Sequence, residues 1–154
     1  TDVISLGGVA RHIPGCAAPV QPSAPTIVRQ PVSDGAPVWR IVTRLFLEDE
    51  CVMIDHITLD KKRFKNLTRT EFDKRQGSIY QLYQMRYGQS VVKTNERLRA
   101  GLAGRQMSTW LKLKSDSPVL HIRRVALDIQ DEPIEWRIST LNTSHHEYFN
   151  ELVT

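Results

Sequence analysis

At 154 residues the chain is the size of one domain and can bury a core without disulfide or metal staples. Its 40% hydrophobic and 25% charged residues suit an ordinary folded domain, and no apolar run approaches the roughly 18 residues that a membrane-spanning helix needs. The formal charge of +4 comes from 21 basic and 17 acidic residues that interleave, unlike the concentrated basic stripe of a nucleic-acid binder.

The first residues lack the charged region and apolar stretch of an export signal, and the chain starts at Thr1 rather than Met. A portion of a longer, cytoplasmic protein is therefore expected. Two cysteines, Cys16 and Cys51, fit a reducing compartment better than a disulfide framework.

Five of the eight prolines precede Gly35. Proline fixes φ and removes a donor, so residues 1–36 read as an extended arm or linker remnant, with one short strand at 26–29. Residues 37–154 hold the folded domain.

From 38 to 47 the pattern alternates: Trp39, Ile41, Leu45 and Leu47 point one way, and Arg40, Val42, Arg44 and Phe46 the other. The triplet Glu48-Asp49-Glu50 predicts a tight turn, and 51–59 a returning strand. A helical region follows Phe64. Within it Ser78 and Gln81 have capping-box spacing, Gly88 marks the end, and Ile79, Leu82, Tyr83 and Tyr87 share one face. Residues 90–102 predict a polar strand with Val92, Thr94, Glu96, Leu98 and Ala100 on one side. A short helix over 106–113 turns Met107, Trp110 and Leu111 inward, and 119–128 with 134–141 forms a second hairpin. Hairpins with helices between them predict an α+β antiparallel sheet.

Little here predicts catalysis. His12, His56, His121, His145 and His146 are scattered, no serine or cysteine stands in a Gly-x-Ser-x-Gly elbow, and the acidic clusters fall in turns. His145-His146 lacks further ligands at metal spacing, and no glycine-rich loop could cradle a phosphate, so no cofactor or metal is expected. Two features do suggest a ligand. Arg44 lies mid-strand, where a buried charge must be paired or bind something. Ser78 opens a helix whose free N–H groups attract anions. Together they predict a small acidic ligand.

The run of elements from 37 to 149 resembles the UTRA domain, the effector-binding half of the HutC branch of GntR-family transcription regulators. Gly35-Ala36-Pro37-Val38-Trp39-Arg40-Ile41 is similar to the family's first-strand pattern G-x-P-V-x-R-I, and Cys51-Val52-Met53-Ile54-Asp55 to the following P-V-x-x-E. Gly77-Ser78-Ile79-Tyr80-Gln81-Leu82-Tyr83 with Tyr87-Gly88 resembles G-S-L-Y-x-L-L followed by Y-G. Ser117-Pro118-Val119-Leu120-His121-Ile122-Arg123-Arg124 resembles S-P-V-L-x-I-x-R, Asp131-Glu132-Pro133-Ile134-Glu135 resembles G-x-P-V-E, and Tyr148-Phe149 the closing segment.

The resemblance implies a chorismate-lyase-like fold: an antiparallel sheet flanked by helices. It also implies a small-molecule effector bound on the sheet, a homodimer, and DNA contact only through an N-terminal winged helix-turn-helix domain, with no catalysis and no membrane. Carried over by position, Arg44, Ser78, Tyr80 and Glu135 are expected to contact the effector, with Glu96 and Arg137 as neighbours. The family's second strand arginine is replaced here by Phe46, and an aromatic position by Leu141, which favours an effector less charged than a sugar phosphate. The alternative on the same fold is a lyase acting on a small aromatic acid.

Overall fold

The computed structural model describes the backbone of residues 3–9 and residues 35–149 in full. Six strands form one wholly antiparallel sheet in the order β1-β2-β3-β6-β5-β4.

The alternation from 38 to 47 becomes β2 (Pro37–Leu47), which turns at Glu48-Asp49 into β3 (Glu50–Asp60). The turn is shorter than the predicted triplet, because Glu50 already pairs with Leu47 and Glu48 takes the left-handed backbone at φ +50. The register shifts between Leu45 and Phe46, leaving Val52 outside the pairing. β1 (Val3–Val9) pairs along β2 from Val3↔Thr43 to Val9↔Pro37. The arm reading missed this strand. Its proline-free Val-Ile-Ser-Leu run suits a pleated edge, and the prolines that follow concealed that signal. The strand expected at 26–29 lies outside the described residues.

The helical region after Phe64 divides in two. α1 (Arg69–Asp73) is capped by Thr68, whose hydroxyl accepts from Glu71 N–H at 3.1 Å. α2 (Ile79–Tyr87) begins with the predicted capping box: Gln81 N–H donates to Ser78 Oγ at 3.1 Å, and Ser78 N–H to Gln81 Oε1 at 3.2 Å. Gly77 makes the reciprocal bond possible, since a Cβ there would lie 2.0 Å from Gln81 Oε1. Gly88 ends the helix in the left-handed region at φ +62.

β4 (Lys93–Leu102), α3 (Arg105–Trp110), β5 (Pro118–Leu127) and β6 (Pro133–Leu141) complete the chain order. Asp128 closes the last hairpin by accepting N–H bonds from Gln130 and Glu132. β6 pairs with β3 as well as β5, so the two hairpins join at the sheet centre.

Helices cover both faces, and the strand alternation decides what each face buries. On one face α1 and α2 pack Phe72, Leu82 and Tyr83 against Ile41, Ile57, Leu59 and Phe64. Ile134 joins this cluster because the register shift between Ala126 and Leu127 leaves it as an extra residue opposite β5. On the other face α3 and the turn after it bring Met107, Trp110, Leu111 and Leu113 against Cys51, Ile54, Ala103 and Val119.

Candidate functional site

Beyond the apolar contacts of α2, the same sheet face becomes polar. Cross-strand register arranges it in rows. One row reads Ile41, Ile57, Arg137, Arg124 and Glu96 across five strands; the next reads Thr43, Asp55, Ser139, Ile122 and Leu98. Period-two alternation along β6 thus delivers Glu135, Arg137 and Ser139 to this face, and Trp136 and Ile138 to the other.

Glu135 is fully buried and Arg137 nearly so. They form a two-pronged pair, with Arg137 Nε donating to Glu135 Oε1 at 2.8 Å and Nη2 to Oε2 at 2.9 Å. The third nitrogen, Nη1, donates to Asp55 Oδ2 at 3.3 Å. Tyr83 on α2 donates to Glu135 Oε2 at 2.6 Å, and Tyr80, one residue short of a turn earlier, reaches Oε1 at 3.5 Å. Charged groups in such a place are costly unless paired and hydrogen-bonded, and here they are paired almost completely. The exception is Asp55 Oδ1, which is buried and has no hydrogen-bond partner among the described residues.

The network sets the proton affinities. Burial alone would lower the Arg137 guanidinium, but the Glu135 and Asp55 carboxylates outweigh it and hold the side chain firmly cationic. Burial and the Glu135 charge push the Tyr83 phenol well above its ordinary range. Tyr80 is raised for the same two reasons, against the opposing pull of Arg137 and Arg124. Both phenols stay protonated and act as donors.

A second pair extends the polar surface towards β4. Arg124 Nε donates to Glu96 Oε1 at 2.6 Å, and Tyr148 donates to the other Glu96 oxygen. Burial would lower Arg124, but Tyr80 and Glu96 raise it. Tyr80 thus stands between the two pairs, with the Arg137 guanidinium carbon 5.7 Å from its ring centre.

Of the residues anticipated from sequence, Tyr80, Glu96, Glu135 and Arg137 come together on this surface. Arg44 and Phe46 do not join them. Arg44 pairs with Ile54 in register, which puts it on the α3 face beside Val42, and its guanidinium carbon lies 5.8 Å from the Phe46 ring centre. Ser78 caps α2 and spends its hydroxyl on Gln81. The sequence reading missed Asp55, Tyr83 and Arg124. Asp55 stands in β3 where the P-V-x-x-E pattern has its acid, and that match was the signal that could have found it.

Two open clefts lie elsewhere, and most of their charged groups are already engaged. One is lined by Arg63, Gln89 and Asp128, where Arg63 pairs with Asp128 at 3.1 Å and bonds Gln89 at 3.0 Å. The other is lined by Lys65, Glu71, Arg86 and Tyr87, where Glu71 accepts from both Arg86 and Tyr87. Among the described residues no group of three or more His, Cys, Asp or Glu could hold a metal ion, and no helix is long and apolar enough to cross a membrane.

Comparison with known proteins places this geometry. A family model described as the UTRA domain matches residues 17–147. The chain is 25% identical over 112 residues to the "Probable fructoselysine utilization operon transcriptional repressor" of Escherichia coli (strain K12), a match covering 73% of this chain and 45% of that protein. The chain thus spans about half the length of the curated relatives it matches. Among solved structures, a ligand-binding domain ascribed to a GntR-family transcriptional regulator of Bordetella bronchiseptica superposes with a TM-score of 0.73 at 28% identity, covering 78% of this chain and 76% of that one. A GntR-family transcriptional regulator from Enterococcus faecalis V583 shares the fold with a TM-score of 0.75 at 16% identity, covering 98% of this chain and 100% of that one.

Proposed function

Because the chain belongs to the UTRA domain family, we propose that it is the effector-sensing domain of a GntR-family transcription regulator of the HutC branch. The observation that carries this reading is the buried polar network of Asp55, Tyr80, Tyr83, Glu135 and Arg137 on one sheet face, with an unsatisfied acceptor inside it. A fold that only needed a core would fill this space with apolar side chains at less cost. Polar groups retained there suit recognition of a small molecule.

Residues 37–154 form the sensing unit in this reading, and 1–36 an arm that lends a strand to its edge. The unit acts in the cytoplasm as a homodimer, and reaches DNA only through a winged helix-turn-helix domain outside these residues. Signalling is a population shift: an effector that binds one arrangement of the dimer better moves the equilibrium by its differential affinity.

Catalysis forms no part of the proposal. Both oxygens of Glu135 are engaged by Arg137 and Tyr83, and the phenols are held protonated, which makes these groups poor bases and nucleophiles. The relatives named as regulators favour sensing over a lyase reaction.

A thermal-shift screen of the chain against a metabolite panel tests the proposal. An effector at 100 times its Kd adds about 2.7 kcal/mol of stability. Tyr80→Ala is expected to lose that shift and Arg44→Ala to keep it. A panel that stabilises nothing, or a hit indifferent to Tyr80→Ala, would contradict the proposal.

A further inference from the structure

Resting on the reading of this sheet face as the effector site, we propose that the effector carries a primary ammonium group, received by Asp55 between Thr43 and Ser139.

The first argument is the orphaned atom. Asp55 is 5% exposed, its Oδ2 accepts from Arg137, and its Oδ1 is buried without a partner. A carboxylate oxygen only accepts, so whatever satisfies it must donate. A carboxylate or a phosphate dianion cannot do so.

The second argument is charge. Two carboxylates, Asp55 and Glu135, share the single Arg137 guanidinium in this buried cluster. Among the described residues one formal negative charge is left over. The Glu96–Arg124 pair alongside is self-balanced and contributes no cation to offset it. A neutral hydroxyl would satisfy the acceptor but leave the charge; a cation does both.

The third argument is shape. Thr43 and Ser139 are the two register partners of Asp55 on neighbouring strands, and both are buried on the same face. The row therefore places the carboxylate between two hydroxyl-bearing side chains. A primary ammonium brings three donors and no acceptor, which matches that row. A guanidinium fork would need both carboxylate oxygens, and Oδ2 is taken by Arg137. The acidic effector expected from Arg44 and Ser78 lacks this support, since Arg44 lies on the opposite face and Ser78 is spent on its own helix.

Backbone NMR titrations with n-butylammonium, n-butanol and butyrate at matched ionic strength test the inference. n-Butylammonium is expected to move the amides of Thr43, Asp55 and Ser139 at a concentration about tenfold below that needed for n-butanol, and butyrate to leave them unmoved. Asp55→Asn keeps an oxygen for Arg137 and removes the surplus charge. It is expected to melt no lower than the parent and to lose the response to n-butylammonium. Should that variant fail to fold, the surplus-charge argument is wrong. Ser139→Ala then decides the ligand, since a several-fold weaker amine response supports the site and an unchanged one overturns it. If n-butanol or butyrate moves these amides as readily as the amine, the ammonium assignment falls and the sensing face stands. If no probe moves them in a folded chain, the sensing face falls with it.

Discussion

The two faces of this sheet are made by the same strands and solve opposite problems. On the α3 face, Met107, Trp110, Leu111 and Leu113 meet Cys51, Ile54, Ala103 and Val119 in ordinary apolar packing. His56 on that face stacks beside Trp110, and burial keeps its imidazole below its usual pKa, with only Asp55's charge opposing. On the α2 face, apolar packing stops at Tyr83, and beyond it Glu135, Arg137 and Asp55 are buried as ions. Alternating residues of one strand, such as Glu135 and Trp136, thus enter environments in which the same substitution has different consequences. The α3 face is packed as a core, and the α2 face carries the buried polar network proposed as the site.

That contrast can be broken by mutation. The largest effect is expected for Glu135→Ala, which leaves Arg137 Nε and Nη2 and the Tyr83 hydroxyl without their acceptor in the interior, with only Nη1 still held by Asp55. Removing one partner of a buried pair costs about 3–5 kcal/mol, read as a fall in the denaturation midpoint. On the other face Leu111→Ala removes a side chain that is 1% exposed. A loss of about 3 kcal/mol is expected from the cavity, with ligand response intact. Equal loss of response in both variants would erase the distinction between the faces.

Tyr83→Phe removes one hydrogen bond to a charged acceptor, about 2 kcal/mol. It also carries a pH signature. The folded phenol holds its proton well above the ordinary value of 10.0, so on alkaline titration the unfolded chain loses that proton first. Stability therefore falls as pH rises past about 10, and the fall should be shallower in Tyr83→Phe. An unchanged alkaline limb would mean that Tyr83 is not the donor. The smallest effect is expected for Ser78→Ala, about 1 kcal/mol from the lost cap, with the ligand response retained because the serine serves the helix.

Local patterns in the chain foretold most of this architecture. Alternation in β2, the reciprocal Ser78–Gln81 box, the Gly88 stop and the closing hairpin all depend on residues a few positions apart, and all appear in the structure. The candidate site was legible only in part. Glu135, Arg137, Tyr80 and Glu96 were named, but Asp55 meets Arg137 across 82 positions of sequence, and no local pattern announces such a pairing. Arg44 drew attention as a charge in mid-strand. Its side of the sheet follows from register with β3, where Thr43 opposite Asp55 fixes Arg44 opposite Ile54. β1 was hidden by the prolines after it, because composition over 36 residues overrode seven residues of strand pattern.

The central claim is that the α2 face of the sheet, and not the α3 face, receives the effector. A crystal structure of the chain with a metabolite that raises its melting temperature tests this most directly. The account predicts the ligand over the Thr43–Asp55–Ser139 row, with a donor on Asp55 Oδ1 and Tyr80 at its edge. A ligand seated beside Arg44 on the α3 face, or in the cleft between Arg63 and Asp128, would contradict it.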